Sequence, residues 1–272
     1  MSENVFSVKD KVVVITGGLG QLGRAYARSL AEAGAKVAVF DLQAEGADLP
    51  EPLDSLAREK RLLAVDCDVT DKDSVEKALA RVESVFGSPH GLVNNAALDS
   101  PPDSPDRDNG PFEDYPEESW KQVMDVNVNG VFFCCQVVGG RMAEAGRGSI
   151  INVSSIYGVV SPDQNLYEYR REKGEIFYKP AAYSVSKSAL INLTRYLATY
   201  WAPKGVRVNT LVLGGVFNNQ DDKFFSEYAR RAPMGRMADE NEYSGAVQFL
   251  LSDASSYMTG SQMVLDGGWT AW

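Results

Sequence analysis

The sequence predicts a single-domain, three-layer α/β fold: a doubly wound parallel sheet with helices on both faces. Three observations carry this. Short apolar runs alternate with longer helical patterns along the whole chain. The runs are almost continuously apolar, as strands covered on both faces must be. A glycine-rich turn joins the first run to the first helical pattern.

The elements follow in order. "KVVVITG" (11–17) reads as a buried strand and "QLGRAYARSLAEAG" (21–34) as a helix stopped at Gly34. "KVAVFD" (36–41) and "RLLAVDCD" (61–68) are strands, and "SVEKALARVESVFG" (74–87) is a helix. "HGLVNNA" (90–96) is a strand running into a turn, and 117–146 is one long helix. "GSIINVSS" (148–155), "GVRVNTLVL" (205–213) and "SQMVLDGG" (261–268) are further strands, with helices at 182–202 and about 239–252 between them. No repeat or linker interrupts the pattern, so one domain is expected over 1–272. Two insertions depart from it: 98–116, rich in Pro and Asp, and 159–181. Long loops inside compact domains are usually functional or mobile.

Composition removes several classes of function. The net charge of −10 argues against nucleic acid or an anionic membrane as partner. No apolar run suggests a transmembrane span, and "MSENVFSVKD" has neither a basic nor an apolar leader segment. The three cysteines, Cys67, Cys134 and Cys135, form no CxxC and read as buried apolar groups in a reducing cytoplasm. His90 is the only histidine, which removes His-based triads and most zinc sites. No metal is expected.

The glycine turn carries chemistry. Gly18, Gly20 and Gly23 spell G-x-G-x-x-G between a strand and a helix. That order lets the backbone approach a pyrophosphate, which the amides at the helix start, Gln21 and Leu22, would face. Asp41, followed by Leu42, ends the second strand about twenty residues on, where a carboxylate meets the adenosine ribose. A carboxylate there repels a 2′-phosphate, and no basic residue flanks it, so NAD is favoured over NADP.

With these residues in place, the chain resembles the short-chain dehydrogenase/reductase family. Thr16, Gly17 and Gly23 match its T-G-x-x-x-G-x-G motif, with Gln21 in place of the middle glycine. "DVT" resembles the adenine-contacting segment, with Asp68 and Val69. "NNAA" resembles N-N-A-G and contributes Asn95, Ala96 and Ala97, the last in place of glycine. "NVNG" places Asn127 at the catalytic asparagine, and "NVSSIYG" places Ser155, chosen over Ser154, at the catalytic serine. "VRVNTLVLGG" precedes the nicotinamide loop, with Leu213 where proline is usual, and "SSYMTGSQMVLDGG" matches the C-terminal signature. The resemblance runs from Lys9 to Gly268. It implies a Rossmann-type fold and NAD(P)-dependent interconversion of an alcohol and a carbonyl.

A Tyr and a Lys four residues apart occur twice, as Tyr169/Lys173 and Tyr183/Lys187. The interval from Ser155 suits Tyr169 better. Helix physics favours the later pair. Gly174 and Pro180 cut short any helix after Tyr169, whereas Tyr183 opens about five turns of helical periodicity. "YSVSK" also resembles the family's Tyr/Lys motif.

The resemblance then assigns roles. Tyr183 is the acid/base, Ser155 orients the substrate oxygen, Lys187 holds the nicotinamide ribose and favours the phenolate, and Asn127 holds a relay water. Gly214, Val216 and Asn218 pass the nicotinamide carboxamide.

The first expectation is an NAD-dependent dehydrogenase of a polar small molecule, plausibly a sugar derivative. Asp163, Gln164, Asn165, Asn218, Asn219 and Gln220 are its candidate contacts, and the insertions look similar to those of family members from bacterial surface-sugar pathways. A lipid-carbonyl reductase and a non-catalytic NAD-sensing scaffold are the alternatives. The 159–181 insertion is either a solvated excursion or a lid whose Arg170 or Arg171 meets an anionic substrate. By resemblance, helices 117–146 and 182–202 pair copies into a homodimer or homotetramer, with Trp269 and Trp272 as a further contact.

Overall fold

The computed structural model describes residues 4–99 and 106–272. Part of the first insertion, 100–105, therefore lies outside the described residues.

Seven strands form one sheet: β1 Val12–Thr16, β2 Lys36–Asp41, β3 Leu62–Asp66, β4 Gly91–Asn94, β5 Gly148–Ser155, β6 Val206–Leu213 and β7 Gln262–Leu265. Their order is β3-β2-β1-β4-β5-β6-β7, and every pairing is parallel. The reversal of direction between β1 and β4 opens a crevice at their carboxyl ends, where such sheets bind ligands.

The continuous apolar strands explain themselves here. Val12 and Val14 point into one core while Val13 and Ile15 point into the other, and all four are buried. The helices supply the two outer layers. α1 Gln21–Glu32, the short α2 Leu53–Arg58 and, near the end of the chain, Ser244–Leu251 cover one face. α3 Lys72–Phe86, α4 Glu117–Glu144 and Ala181–Trp201 cover the other.

α4 passes by length and composition as a candidate membrane span, contrary to the sequence expectation. It also supplies Val131, Cys134, Cys135, Val138 and Met142 to the core, as a core helix does. Its winding loosens into π-helical turns at Asp125–Gly130 and Cys135–Gly139.

The second insertion is folded. A 3₁₀ turn at Gln164–Tyr167 leads into the single turn α5 Glu168–Arg171, and an extended run reaches Pro180, which opens α6 Ala181–Trp201. Leu166 and Tyr167 join Tyr157, Tyr228 and Met237 in a third small apolar cluster. Tyr228 comes from α7 Asp222–Arg231, a helix absent from the sequence reading. Asp221 caps α7 by accepting from the Lys223 amide at 2.8 Å. The helix expected at 239–252 splits into a 3₁₀ turn, Glu240–Tyr243, and α8 Ser244–Leu251.

Candidate active site

Two cavities of about 750 and 720 Å³ run along the carboxyl ends of the strands, and both are bordered by Asn95 and Ala97. They form one cleft over the β1/β4 crevice. One end holds the Tyr183 group, and the other holds the glycine turn and Asp41.

The Tyr183 end is assembled from three segments. β5 delivers Ser155 at its last position. α6 carries Tyr183 and Lys187 one turn apart on the face turned to β5. Lys187 is 3% exposed and donates from Nζ to the Val153 carbonyl at 2.9 Å. Ser154 lies beside Ser155, but its hydroxyl is spent on the Lys187 carbonyl at 2.8 Å. Ser155 accepts from the Tyr157 amide at 3.2 Å and hydrogen-bonds the Tyr183 side chain.

Two ammonium groups flank the Tyr183 ring. Lys179 Nζ lies 5.0 Å from the ring centre and Lys187 Nζ 5.8 Å. Burial pushes the phenol well above its ordinary range, Asp99 adds to this, and the Ser155 hydrogen bond works against it. Burial pushes the Lys187 ammonium down to about 8, and Asp99 opposes that shift.

Asn127 is buried on the first π-helical turn and does not border the cleft. Its amide donates to the Leu98 carbonyl at 2.8 Å and to Ser186 Oγ at 2.9 Å, and its Oδ1 accepts from the Leu98 amide at 2.7 Å. The side chain thus clamps the segment after β4 to α6.

The other end fits a dinucleotide. A Cβ on Gly23 would lie 2.2 Å from the Gly17 carbonyl, and one on Gly18 2.4 Å from Val39 Cγ1, so the turn packs too tightly for any side chain there. Gly17 has φ +60°, a conformation that favours glycine. Gly20 caps α1 and borders the cleft with Gly17, Asp41, Leu42, Asp68 and Val69. Thr16, Gly18 and Gly23 shape the turn from behind. Thr16 Oγ1 accepts from the Asn95 and Ala96 amides at 3.0 and 3.1 Å, tying β1 to β4.

Asp41 holds more than the sequence shows. Its oxygens accept from the Leu19 amide at 2.8 Å and the Leu42 amide at 2.9 Å, so it fixes the glycine turn. Gln21 is a second addition. Replacing the usual glycine, it opens α1 and donates to the Phe217 carbonyl at 2.9 Å, bridging the turn to the loop after β6. That loop keeps its path without a proline. Leu213 stays in the sheet, Gly215 donates to Tyr228 Oη at 2.7 Å, and Tyr243 donates to the Gly214 carbonyl at 3.2 Å. Gly214, Val216 and Asn218 border the Tyr183 end, as do Gln21 and Leu22.

Several substrate-contact expectations need correction. Asp163 is tied to Arg231 at 2.7 Å, Gln164 to the Lys179 main chain, and neither borders the cleft, nor do Asn165 and Asn219. Asn218 and Gln220 do. The Tyr183 end is lined by the aromatic side chains of Tyr157, Tyr167, Tyr169, Phe177, Phe224 and Tyr228 together with the charged Asp99, Arg170, Lys179 and Asp221. Tyr167 and Phe177 sit in a stretch whose charged neighbours read as a polar loop; Tyr167 packs on Phe177 and on Phe224 of α7, and both border the cleft. Tyr169 borders the outer wall on α5, with Lys173 Nζ 5.5 Å from its ring.

Comparisons with known proteins place the chain. A family model described as enoyl-(acyl carrier protein) reductase matches residues 20–270. An NAD-dependent glycerol dehydrogenase of Listeria innocua is 29% identical over 97% of this chain and 96% of its own. A D-threitol dehydrogenase of Mycolicibacterium smegmatis is 33% identical over 97% and 95%. The crystal structure of a short-chain dehydrogenase from Leptospira borgpetersenii with bound NAD⁺ superposes with a TM-score of 0.85 at 32% identity, covering 99% of this chain and 97% of that one.

Proposed function

This chain belongs to the short-chain dehydrogenase/reductase family, and from that premise we propose that it interconverts a secondary alcohol and a ketone on a polar, hydroxyl-rich small molecule, with NAD as cofactor. The observation that carries the reading is the convergence of Ser155, Tyr183 and Lys187 on one end of a cleft whose other end is a glycine cradle beside Asp41. The related glycerol and threitol dehydrogenases support the substrate class.

A dinucleotide bound along the cleft supplies the hydride donor or acceptor. Gly17, Gly20 and the amides opening α1 would hold its pyrophosphate. Asp41 would accept from the adenosine ribose with the lone pairs its two amide contacts leave free. Asp68 and Val69 would flank the adenine, and Lys187 would hold the nicotinamide ribose. At the reacting end, Ser155 donates to the substrate oxygen. In reduction Tyr183 gives its proton to that oxygen, and in oxidation it takes the proton back. The Lys179 and Lys187 charges favour the phenolate, while Asp99 and burial favour the phenol. Asn127 has spent its side chain on Leu98 and Ser186, so only its main-chain carbonyl, on the loosened π-helical turn, is left to hold a relay water.

NADH absorbance across a panel of secondary alcohols, polyols and sugars tests the reading. Tyr183→Phe should abolish turnover yet leave NADH binding, and Tyr169→Phe should keep substantial activity. The reverse result would move the acid/base to Tyr169. NAD should exceed NADP by at least about tenfold in kcat/KM, since a 2′-phosphate would sit beside a carboxylate. Asp41→Ala should narrow that ratio, and equal use of the two cofactors by wild type would remove the preference.

A further inference from the structure

Lys179 is held in the substrate cavity by a device of its own. Its amide donates to Gln164 Oε1 at 2.8 Å, and its carbonyl accepts from Gln164 Nε2 at 3.3 Å. Arg171 fixes that arrangement by donating to the Gln164 carbonyl at 2.9 Å and the Phe177 carbonyl at 3.1 Å. The side chain so anchored is 11% exposed and forms an ion pair with Asp99, from the segment after β4, which is 58% exposed. Both border the cavity together with Ser155 and Tyr183.

We propose that Asp99 and Lys179 form a subsite that reads a hydroxyl next to the reacting carbon, so that the substrate is a neutral vicinal diol or polyol. The proposal rests on the dehydrogenase reading and narrows it.

Charge decides between this and an anionic substrate. A phosphate or carboxylate reaching Lys179 would have to break the ion pair and then lie beside the displaced Asp99 carboxylate. Of the other loop cations only Arg170 borders the cavity, and its charge is already paired with Glu175 at 2.6 Å and its plane stacked on Phe177. Arg171 is turned into the loop and paired with Glu168, and Lys173 lies against Tyr169 outside the lining. A hydroxyl needs no such displacement. It donates to Asp99 and accepts from Lys179 while the two charges stay paired. Vicinal hydroxyls diverge from adjacent carbons. One can meet Ser155 and Tyr183 while the next meets the pair, whose ammonium lies 5.0 Å from the Tyr183 ring centre. The aromatic wall at Tyr157 and Phe177 faces the carbon skeleton.

The test is kcat/KM for butane-2,3-diol, butan-2-ol and 3-hydroxybutanoate in wild type, Asp99→Asn and Lys179→Met. Wild type should prefer the diol to butan-2-ol by at least about tenfold, because a site built for a hydroxyl is left with unpaired polar groups by the analogue lacking it. Each variant should cut that ratio by about tenfold, chiefly through the KM of the diol. A merely structural pair would lower both substrates together and leave the ratio unchanged, which overturns the proposal. So does a wild type that oxidises butan-2-ol or 3-hydroxybutanoate as well as the diol, or that ignores the diol while oxidising another secondary alcohol. Folded wild type that oxidises no alcohol with either cofactor overturns the dehydrogenase reading itself, and this proposal with it.

Discussion

Lys187 shows what burying a single ammonium group costs the fold. It is buried with no carboxylate in contact among the described residues, and its Nζ donates to the Val153 carbonyl at 2.9 Å. Its charged form is disfavoured by the fold, so its ammonium titrates near 8 rather than 10.5. Between those values the unfolded chain binds more protons than the folded one, and wild-type stability rises with pH across the window. Below about 8 the full penalty applies. Lys187→Met should therefore be inactive yet more stable at neutral pH, by up to about 3 kcal/mol less the lost hydrogen bond. The advantage should shrink as pH rises from about 8 to 10.5. Thermal unfolding of both proteins across that range checks it, and an advantage that does not change with pH would mean that the ammonium titrates normally.

At the scale of elements, the insertion between β5 and α6 forms one wall of the cavity at the Tyr183 end. It is no solvated excursion, since Leu166 and Tyr167 are buried against α7 and its Phe177 and Lys179 form cavity wall. None of its residues borders the cofactor end of the cleft. Replacing 163–178 by a tight turn should lower kcat/KM on the best substrate severely, while NADH affinity, read by fluorescence titration, stays nearly constant. Full kcat/KM in the shortened enzyme would move the search for substrate contacts to the segment after β4 and to α7. Of the two arginines expected to serve an anion, Arg171 does not border the cavity and is turned into the loop, while Arg170 borders it and is paired with Glu175. Arg171 fixes Gln164, which fixes Lys179.

The whole molecule carries apolar surface that a single copy does not cover. Phe132 on α4 and Tyr196 and Tyr200 on α6 are 43%, 64% and 56% exposed, and the two tyrosines stack at 6.1 Å. We propose that these helices pair copies of the chain into a dimer or tetramer. Light scattering at micromolar concentration should give a mass above the 29.7 kDa of the chain, and Tyr196→Lys should lower it. A monomeric wild type contradicts the proposal. Of the two tail tryptophans, Trp269 already stacks on Tyr228 at 4.5 Å, so Trp272, 83% exposed, is the one left for such a contact.

The sequence by itself determined whatever depends on neighbours along the chain. The seven strands follow from uninterrupted apolar runs. The glycine turn follows from steric demands that each glycine meets alone. That a long helix carries Tyr183 and not Tyr169 follows from Gly174 and Pro180, and α6 does run from Ala181 to Trp201. Tertiary structure decided whatever depends on residues distant in sequence. Asp99 and Lys179 are eighty positions apart, and nothing in either segment announces the other. Gln21 looks like a defect in a motif until its amide meets the Phe217 carbonyl across the cleft. Asp163 and Gln164 look like sugar contacts until Arg231 and Lys179 claim them. A polar side chain in a loop has many possible partners, and only the packing of β5, α6 and α7 around one cavity selects among them.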